Sequence, residues 1–199
     1  MPNIERQVIN LVGLKGSGKS QAATYLRDNY GFAVFRPLDI VNTHYQSLSD
    51  SPESQNYHQR RLLETHPAAL TRPILQSTGR VCIDSLLVPR QAAILQDMLG
   101  DDYATFAFEC HSELRAKHLR EAKYPSDYER GISTGQLRID EAYAYAGEGP
   151  FDCNVQEVMD MCEQRGALIN ANKPLLSVRL QLKHSLGQLG ITGPPTESP

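Results

Sequence analysis

Eight residues near the amino terminus, Gly13-Leu14-Lys15-Gly16-Ser17-Gly18-Lys19-Ser20, fit the spacing G-x-x-x-x-G-K-[ST]. Glycines in such a run let the backbone curl until several N–H groups converge on phosphate oxygens. Lys19 is then placed to bridge the β- and γ-phosphates, and the Ser20 hydroxyl to ligate magnesium. Gly13, Lys15, Gly16, Ser17, Gly18 and Gln21 complete the expected cradle, with ATP and Mg2+ as its cofactors. The plainer alternative is a glycine-rich turn that merely joins two elements. Binding is favoured by the context, since an apolar run leads into the loop and a helical run leaves it. Further along, Val81-Cys82-Ile83-Asp84 puts an acid at the end of an apolar run. That is the form of a strand whose terminal carboxylate holds magnesium or its water, although an aspartate there can also cap the next helix.

The elements that must position these groups can be read in order. Gln7–Val12 is apolar and rich in branched residues, as a buried parallel strand is. A helix follows from Lys19 to about Asn29, ended by Gly31. Further strands are expected over Phe32–Phe35, Arg80–Asp84, Tyr103–Phe108 and Ala167–Asn170. Helices are expected over about Pro89–Leu99, Ser112–Ala122, Gln136–Tyr145, Val155–Gln164 and Leu175–Leu189. Alternation of this kind predicts an α/β fold, a three-layer sandwich with a five-stranded parallel sheet and helices on both faces. Ligands of such folds collect at the carboxyl ends of the strands. One domain is expected over residues 1–189, with an interrupted helical segment at about 38–77 and a turn-rich segment at about 122–135. The polar run 190–199 is expected to be a disordered tail.

Composition narrows the classes. The 199 residues are 40% hydrophobic and 22% charged, with a net charge of −3 and a pI near 6.1. No basic stripe marks a binder of nucleic-acid polymers, and no run approaches the roughly 20 apolar residues that span a bilayer. The amino-terminal apolar run enters the glycine loop directly and reads as a strand, not a signal peptide. Small-molecule nucleotides are the expected partners, the cytoplasm the expected location, and the oligomeric state is left open. Cys82, Cys110, Cys153 and Cys162 form no C-x-x-C pair, so reduced structural thiols are expected. His111 and His118 lack a third ligand candidate, and no zinc site is expected.

GLKGSGKS, then GFAVFRPLDIV, RVCIDSLLVPRQ, ATFAFECHSELRAKHLRE and ALINANKPLLSVRLQLK, together resemble one group of P-loop enzymes. The group comprises dephospho-CoA kinase and the nucleoside monophosphate kinases, including adenylate-kinase-related chains and phage deoxynucleoside monophosphate kinases. The resemblance spans about residues 7–189 and is loose outside the loop. It implies an ATP- and Mg-dependent kinase, with 122–135 as a lid and 38–77 as the acceptor-binding segment. Asp39 then lies where an acid faces the acceptor, the alternative being a helix-terminal aspartate. Arg115 and Arg120 fall where lid arginines close over the substrates, the alternative being a solvated basic face. Arg130 and Arg138 are weaker candidates of the same kind. Asn170 and Asn172 lie at the adenine-side loop, where they either contact the base or make the turn. The sequence departs from the group after Asp84, where an acceptor-gripping arginine is usual and Ser85 stands instead. Arg90 comes late, leaving Arg36, Arg60 and Arg61 as substitutes.

The resemblance therefore implies phosphoryl transfer to a nucleoside or deoxynucleoside monophosphate. Dephospho-CoA is a second acceptor. A nucleotide-sensing module without turnover is the alternative of another class, favoured by the missing arginine.

Overall fold

A computed structural model describes residues 6–37, 39, 40, 43, 62, 66, 68–86, 88–121, 133–135 and 155–193. Most of the segment 38–77, nearly all of 122–135 and the helix expected at 136–145 lie outside the described residues, as do Arg60, Arg61, Arg130, Arg138 and Cys153.

Five strands, β1 (Gln7–Val12), β2 (Ala33–Phe35), β3 (Arg80–Asp84), β4 (Tyr103–Glu109) and β5 (Gly166–Asn170), form one sheet in the order β2-β3-β1-β4-β5. Every pairing is parallel. The described helices are α1 (Lys19–Tyr30), α2 (Arg72–Gln76), α3 (Pro89–Leu99), α4 (Ser112–Arg120), α5 (Val155–Asp160) and α6 (Leu175–Gln188). The helix expected to run through Gln164 tightens into a 3-10 turn at Met161–Glu163, a common way for a helix to end.

Alternation along β1 divides the core. Ile9 and Leu11 pack with Ala22, Ala23 and Leu26 of α1 and with Leu182 and Leu186 of α6. Val8 and Val12 face the opposite layer, Val8 with Ile74 of α2 and Leu95 of α3, Val12 with Ala92 of α3 and Val158 of α5. Each leucine fully buried in this way contributes about 1.5–3 kcal/mol. Asn10 also faces that layer and is completely buried. Its amide donates to the Leu86 carbonyl at 3.1 Å, and its Oδ1 accepts from the Leu86 N–H at 3.1 Å. A polar residue in the central strand thus satisfies both backbone groups of the segment leaving β3.

Gly31 closes α1 with its N–H on the Arg27 carbonyl. Ile191 is buried in the first core cluster, its N–H bonded to the Leu186 carbonyl at 2.9 Å, and Arg80 Nη1 donates to the Thr192 carbonyl at 2.8 Å. The packed body therefore extends beyond the boundary expected at residue 189, because one isoleucine finds a pocket between α6 and the sheet. Residues 194–199 are outside the described ones. On the open edge of β5, the Asn170 N–H donates to Gln181 Oε1 and Gln181 Nε2 donates to the Asn170 carbonyl, at 2.9 and 3.2 Å. Among the described residues no helix is long and apolar enough to cross a membrane.

Candidate nucleotide and phosphoryl-transfer site

Because all strands are parallel, their carboxyl ends share one edge of the sheet, and the loop after β1 lies at its centre. Residues 14–16 turn three successive carbonyl oxygens toward donors. Lys19 Nζ donates to the Leu14 carbonyl at 3.0 Å. Arg115 Nη1 donates to the Lys15 carbonyl at 3.2 Å. His118 Nδ1 lies 2.9 Å from the Gly16 carbonyl, and since a carbonyl only accepts, that nitrogen carries the proton. With the carbonyls so engaged, the loop offers an anion its amide side.

Close packing behind the loop explains two glycines. A Cβ at Gly13 would meet the Phe108 carbonyl at 2.7 Å, and one at Gly16 the Arg115 carbonyl at 2.8 Å. Gly16 moreover has φ +84, a conformation costly for any residue with a Cβ. The loop therefore rests directly on β4 and α4.

Lys19 also lies 3.4 Å from Ser17 Oγ. Burial lowers its pKa to about 8, with Asp84 pulling upward and the Arg115 guanidinium adding to the decrease. Ser20 Oγ donates to Asp84 Oδ2 at 2.8 Å, so the two groups expected to share magnesium are in contact between the start of α1 and the end of β3. A hydroxyl and a carboxylate side by side are hard oxygen donors suited to magnesium. A metal there would neutralise charge on the phosphates. The same Asp84 oxygen lies 3.7 Å from Arg36 Nε.

Arg115 departs from the expectation of a lid arginine. It is only 2% exposed, and its Nε donates to the Cys110 carbonyl at 3.2 Å while Nη1 holds the loop. It braces the loop from below and is a positioning residue. Arg120 lies at the exposed end of α4. Arg90 is exposed on the first turn of α3. Asp39 is exposed and lines a depression beside β2 with Arg36, Ile40 and Thr43.

Asn170 and Asn172 make the turn. Asn170 Oδ1 accepts from the Asn172 N–H at 3.1 Å, and Asn172 Oδ1 accepts from the His111 N–H at 2.7 Å. The cleft next to the loop is lined instead by Gln21, Tyr25, His118, Ala171, Lys173 and Arg179, among others. Arg179 stacks over Tyr25 at 5.5 Å. Of the cysteines, Cys82 is buried in β3 and raised in pKa by burial, whereas Cys110 follows β4 and is half-buried.

The sequence reading does not reach Asn10, Lys173 or Arg179, and it weighs His118 only as a metal ligand. Two signals were present: an asparagine interrupting an apolar strand, and a histidine three residues after Arg115, hence on the same helix face.

Sheet order, loop and flanking helices together define a three-layer α/β sandwich with a phosphate-type loop after its central strand. No family model matches the chain. Two UPF0200 proteins, from two strains of Halobacterium salinarum, are each 26% identical over 130 residues, covering 61% of this chain and 68% of theirs. A shikimate kinase from Bacteroides thetaiotaomicron superposes with a TM-score of 0.60 at 12% identity, covering 92% of this chain and 98% of that one. A gluconokinase from Sinorhizobium meliloti 1021 gives 0.54 at 12%, covering 96% and 94%. The tunicamycin resistance protein of Deinococcus radiodurans gives 0.57 at 16%, covering 96% and 99%. At these identities the likeness is one of fold.

Proposed function

We propose that this protein transfers the γ-phosphoryl group of magnesium ATP to a small phosphorylated acceptor, a nucleoside or deoxynucleoside monophosphate. The observation that carries the reading is the Ser20–Asp84 contact, with Lys19 in the loop on one side and the Arg36–Asp39 depression on the other. Donor and acceptor spaces thus meet at one carboxylate. The fold is shared with a shikimate kinase and a gluconokinase, which supports transfer to a small molecule and leaves the acceptor to chemistry.

Ser20 and Asp84 would hold the magnesium, which supplies charge neutralisation on the phosphates. Lys19 stabilises the charge on the equatorial oxygens of the migrating group. Arg115 and His118 keep the loop amides aimed at the phosphates, and Arg120 would add a positive charge from the end of the same helix. In the transfer, a bond forms between the acceptor oxygen and the γ-phosphorus as the bond to the β–γ bridging oxygen breaks, and ADP leaves. A phosphate acceptor is largely dianionic at neutral pH and gives up no proton. A hydroxyl acceptor such as dephospho-CoA must lose one, and Asp39 would take it.

That difference separates the acceptors. Asp39→Asn is expected to lower kcat by less than about tenfold with a monophosphate, but by about 100-fold or more with a hydroxyl acceptor that needs the base. The deciding experiment is ADP formation from Mg·ATP with a panel of NMPs, dNMPs and dephospho-CoA, beside Lys19→Ala. Stimulation by one acceptor that the variant loses names the substrate. Tight ATP binding with no stimulation would instead support a nucleotide-sensing module, the reading that Ser85 in place of an arginine favours.

A further inference from the structure

In the register of β1 and β3, Asn10 stands level with Ile83. Its side chain nevertheless bonds three residues further along, to both backbone groups of Leu86. The pairing of the two strands runs as far as Leu11 and Asp84. The chain after Asp84 therefore folds back over the face of the sheet from which Asn10 projects. That turn falls on Ser85, whose φ of +74 is left-handed. A residue with a Cβ adopts this conformation only against steric resistance, and such strain persists where the surroundings over-determine it. Ser85 offsets none of it, because its own hydroxyl is buried without a hydrogen-bond partner. Asn10 does so from a completely buried position. Were Ser85 to relax, the Leu86 N–H, the Leu86 carbonyl and the Asn10 amide would all lose their partners inside the core, where such losses are costly.

We propose that Asn10 is a positioning residue for magnesium: by holding Leu86 it keeps Ser85 left-handed, and so keeps the Asp84 carboxylate turned toward Ser20. This rests on Ser20 and Asp84 as the magnesium pair, and not on the identity or existence of an acceptor. Asp84 lies between two restraints. The ladder with Leu11 fixes the backbone on its amino-terminal side, and the Asn10 clamp fixes the turn on its carboxyl-terminal side. Its carboxylate, 10% exposed, accepts from Ser20 Oγ at 2.8 Å. Magnesium demands near-ideal octahedral geometry, so the direction of this one carboxylate matters more to the metal than to the nucleotide. A residue that served packing alone would lower stability and every affinity together. Asn10 is expected to separate the metal from the nucleotide.

The test reads metal and nucleotide separately. A non-hydrolysable ATP analogue is titrated by calorimetry, with and without magnesium, into wild type, Asn10→Ala, Ser85→Gly and the double variant. Electron paramagnetic resonance gives the affinity of manganese for each analogue complex, and melting temperatures report the fold. Wild type is expected to bind the analogue at least about tenfold more tightly with magnesium. In Asn10→Ala that gain should shrink to about threefold or less, and manganese affinity should fall in parallel, while affinity without metal stays within about twofold. Glycine needs no clamp to be left-handed, so Ser85→Gly should restore the gain in part when added to Asn10→Ala. A gain that survives in a folded Asn10→Ala, or a loss that Ser85→Gly leaves unchanged, overturns the assignment. Should Asn10→Ala not fold, hydrogen exchange of the Leu86 amide in the wild-type analogue complex decides. By reciprocity, magnesium should slow that exchange at least about fivefold, and an unchanged rate overturns the assignment. A wild type that gains nothing from magnesium removes the magnesium pair and the assignment together, whereas failure confined to the variants or to Leu86 exchange removes the assignment alone.

Discussion

Lys19 sits among carbonyl and hydroxyl oxygens, and burial holds its pKa near 8. In the free protein it is therefore charged below about pH 8 and neutral above. A bound phosphate restores a partner and raises the pKa, so nucleotide binding should take up a proton above pH 8 and none near pH 6.5. Affinity is accordingly expected to fall by up to about tenfold per pH unit above 8. Calorimetry at pH 9 in two buffers of different ionisation enthalpy reads the uptake directly, and Lys19→Arg should abolish it. Ser85 poses a different question at the same scale. It is the non-glycine residue with positive φ among the described residues, at +74, and its hydroxyl is buried without a hydrogen-bond partner. Left-handed strain costs about 1–2 kcal/mol, partly offset in glycine by greater freedom of the unfolded chain. Ser85→Gly is expected to stabilise by about 1 kcal/mol, or roughly 2–4 °C in Tm for a chain of this size. A fall in Tm would mean that the hydroxyl has a partner that matters.

Among the elements, α4 differs most from its reading in sequence. Arginines on a short polar helix read as a solvated or lid-facing surface, and the pattern gives no sign that Arg115 is buried. Its burial depends on Gly16, whose missing side chain lets α4 approach the loop backbone. Gly16 and Gly18 share positive φ, at +84 and +92, yet a Cβ at Gly18 would meet nothing within 4 Å. Gly18→Ala should therefore cost only backbone strain, about 1–2 kcal/mol. Gly16→Ala must also displace α4, and is expected to lose more stability and to weaken ATP binding further. Urea unfolding and ATP titration of both variants give the order; equal losses would show that the packing is soft. By contrast β1, β3 and α3 lie where apolar periodicity and Pro89 place them. Their boundaries depend on local chemistry, whereas the burial of Arg115 depends on residues about 100 positions away.

For the whole molecule, alternating strands and helices made the layers legible, as did the placement of the site at the strand ends. The order β2-β3-β1-β4-β5 was not, because it is set by long-range pairing. That order brings Arg36, Asp84 and the loop into line. Ligand binding at such a shared edge should stabilise the fold as a unit. Mg·ATP at 100 times its Kd is expected to add about 2.7 kcal/mol, seen as a rise in Tm that Lys19→Ala removes.

The Gln181 amide against Asn170 has a consequence for life in a crowded solution. Among the described residues β5 ends the sheet, and its outward peptide groups form a template onto which a foreign strand could add. Gln181 offers Asn170 one acceptor and one donor, the same pair that a sixth strand would offer, so a single side chain occupies that docking point. Gln181→Leu would leave it vacant beside the exposed Leu168. Light scattering during a slow thermal ramp should then rise earlier than in wild type, with the monomer's fold intact. The residue that finishes the sheet would thereby also keep one copy of the chain from extending another.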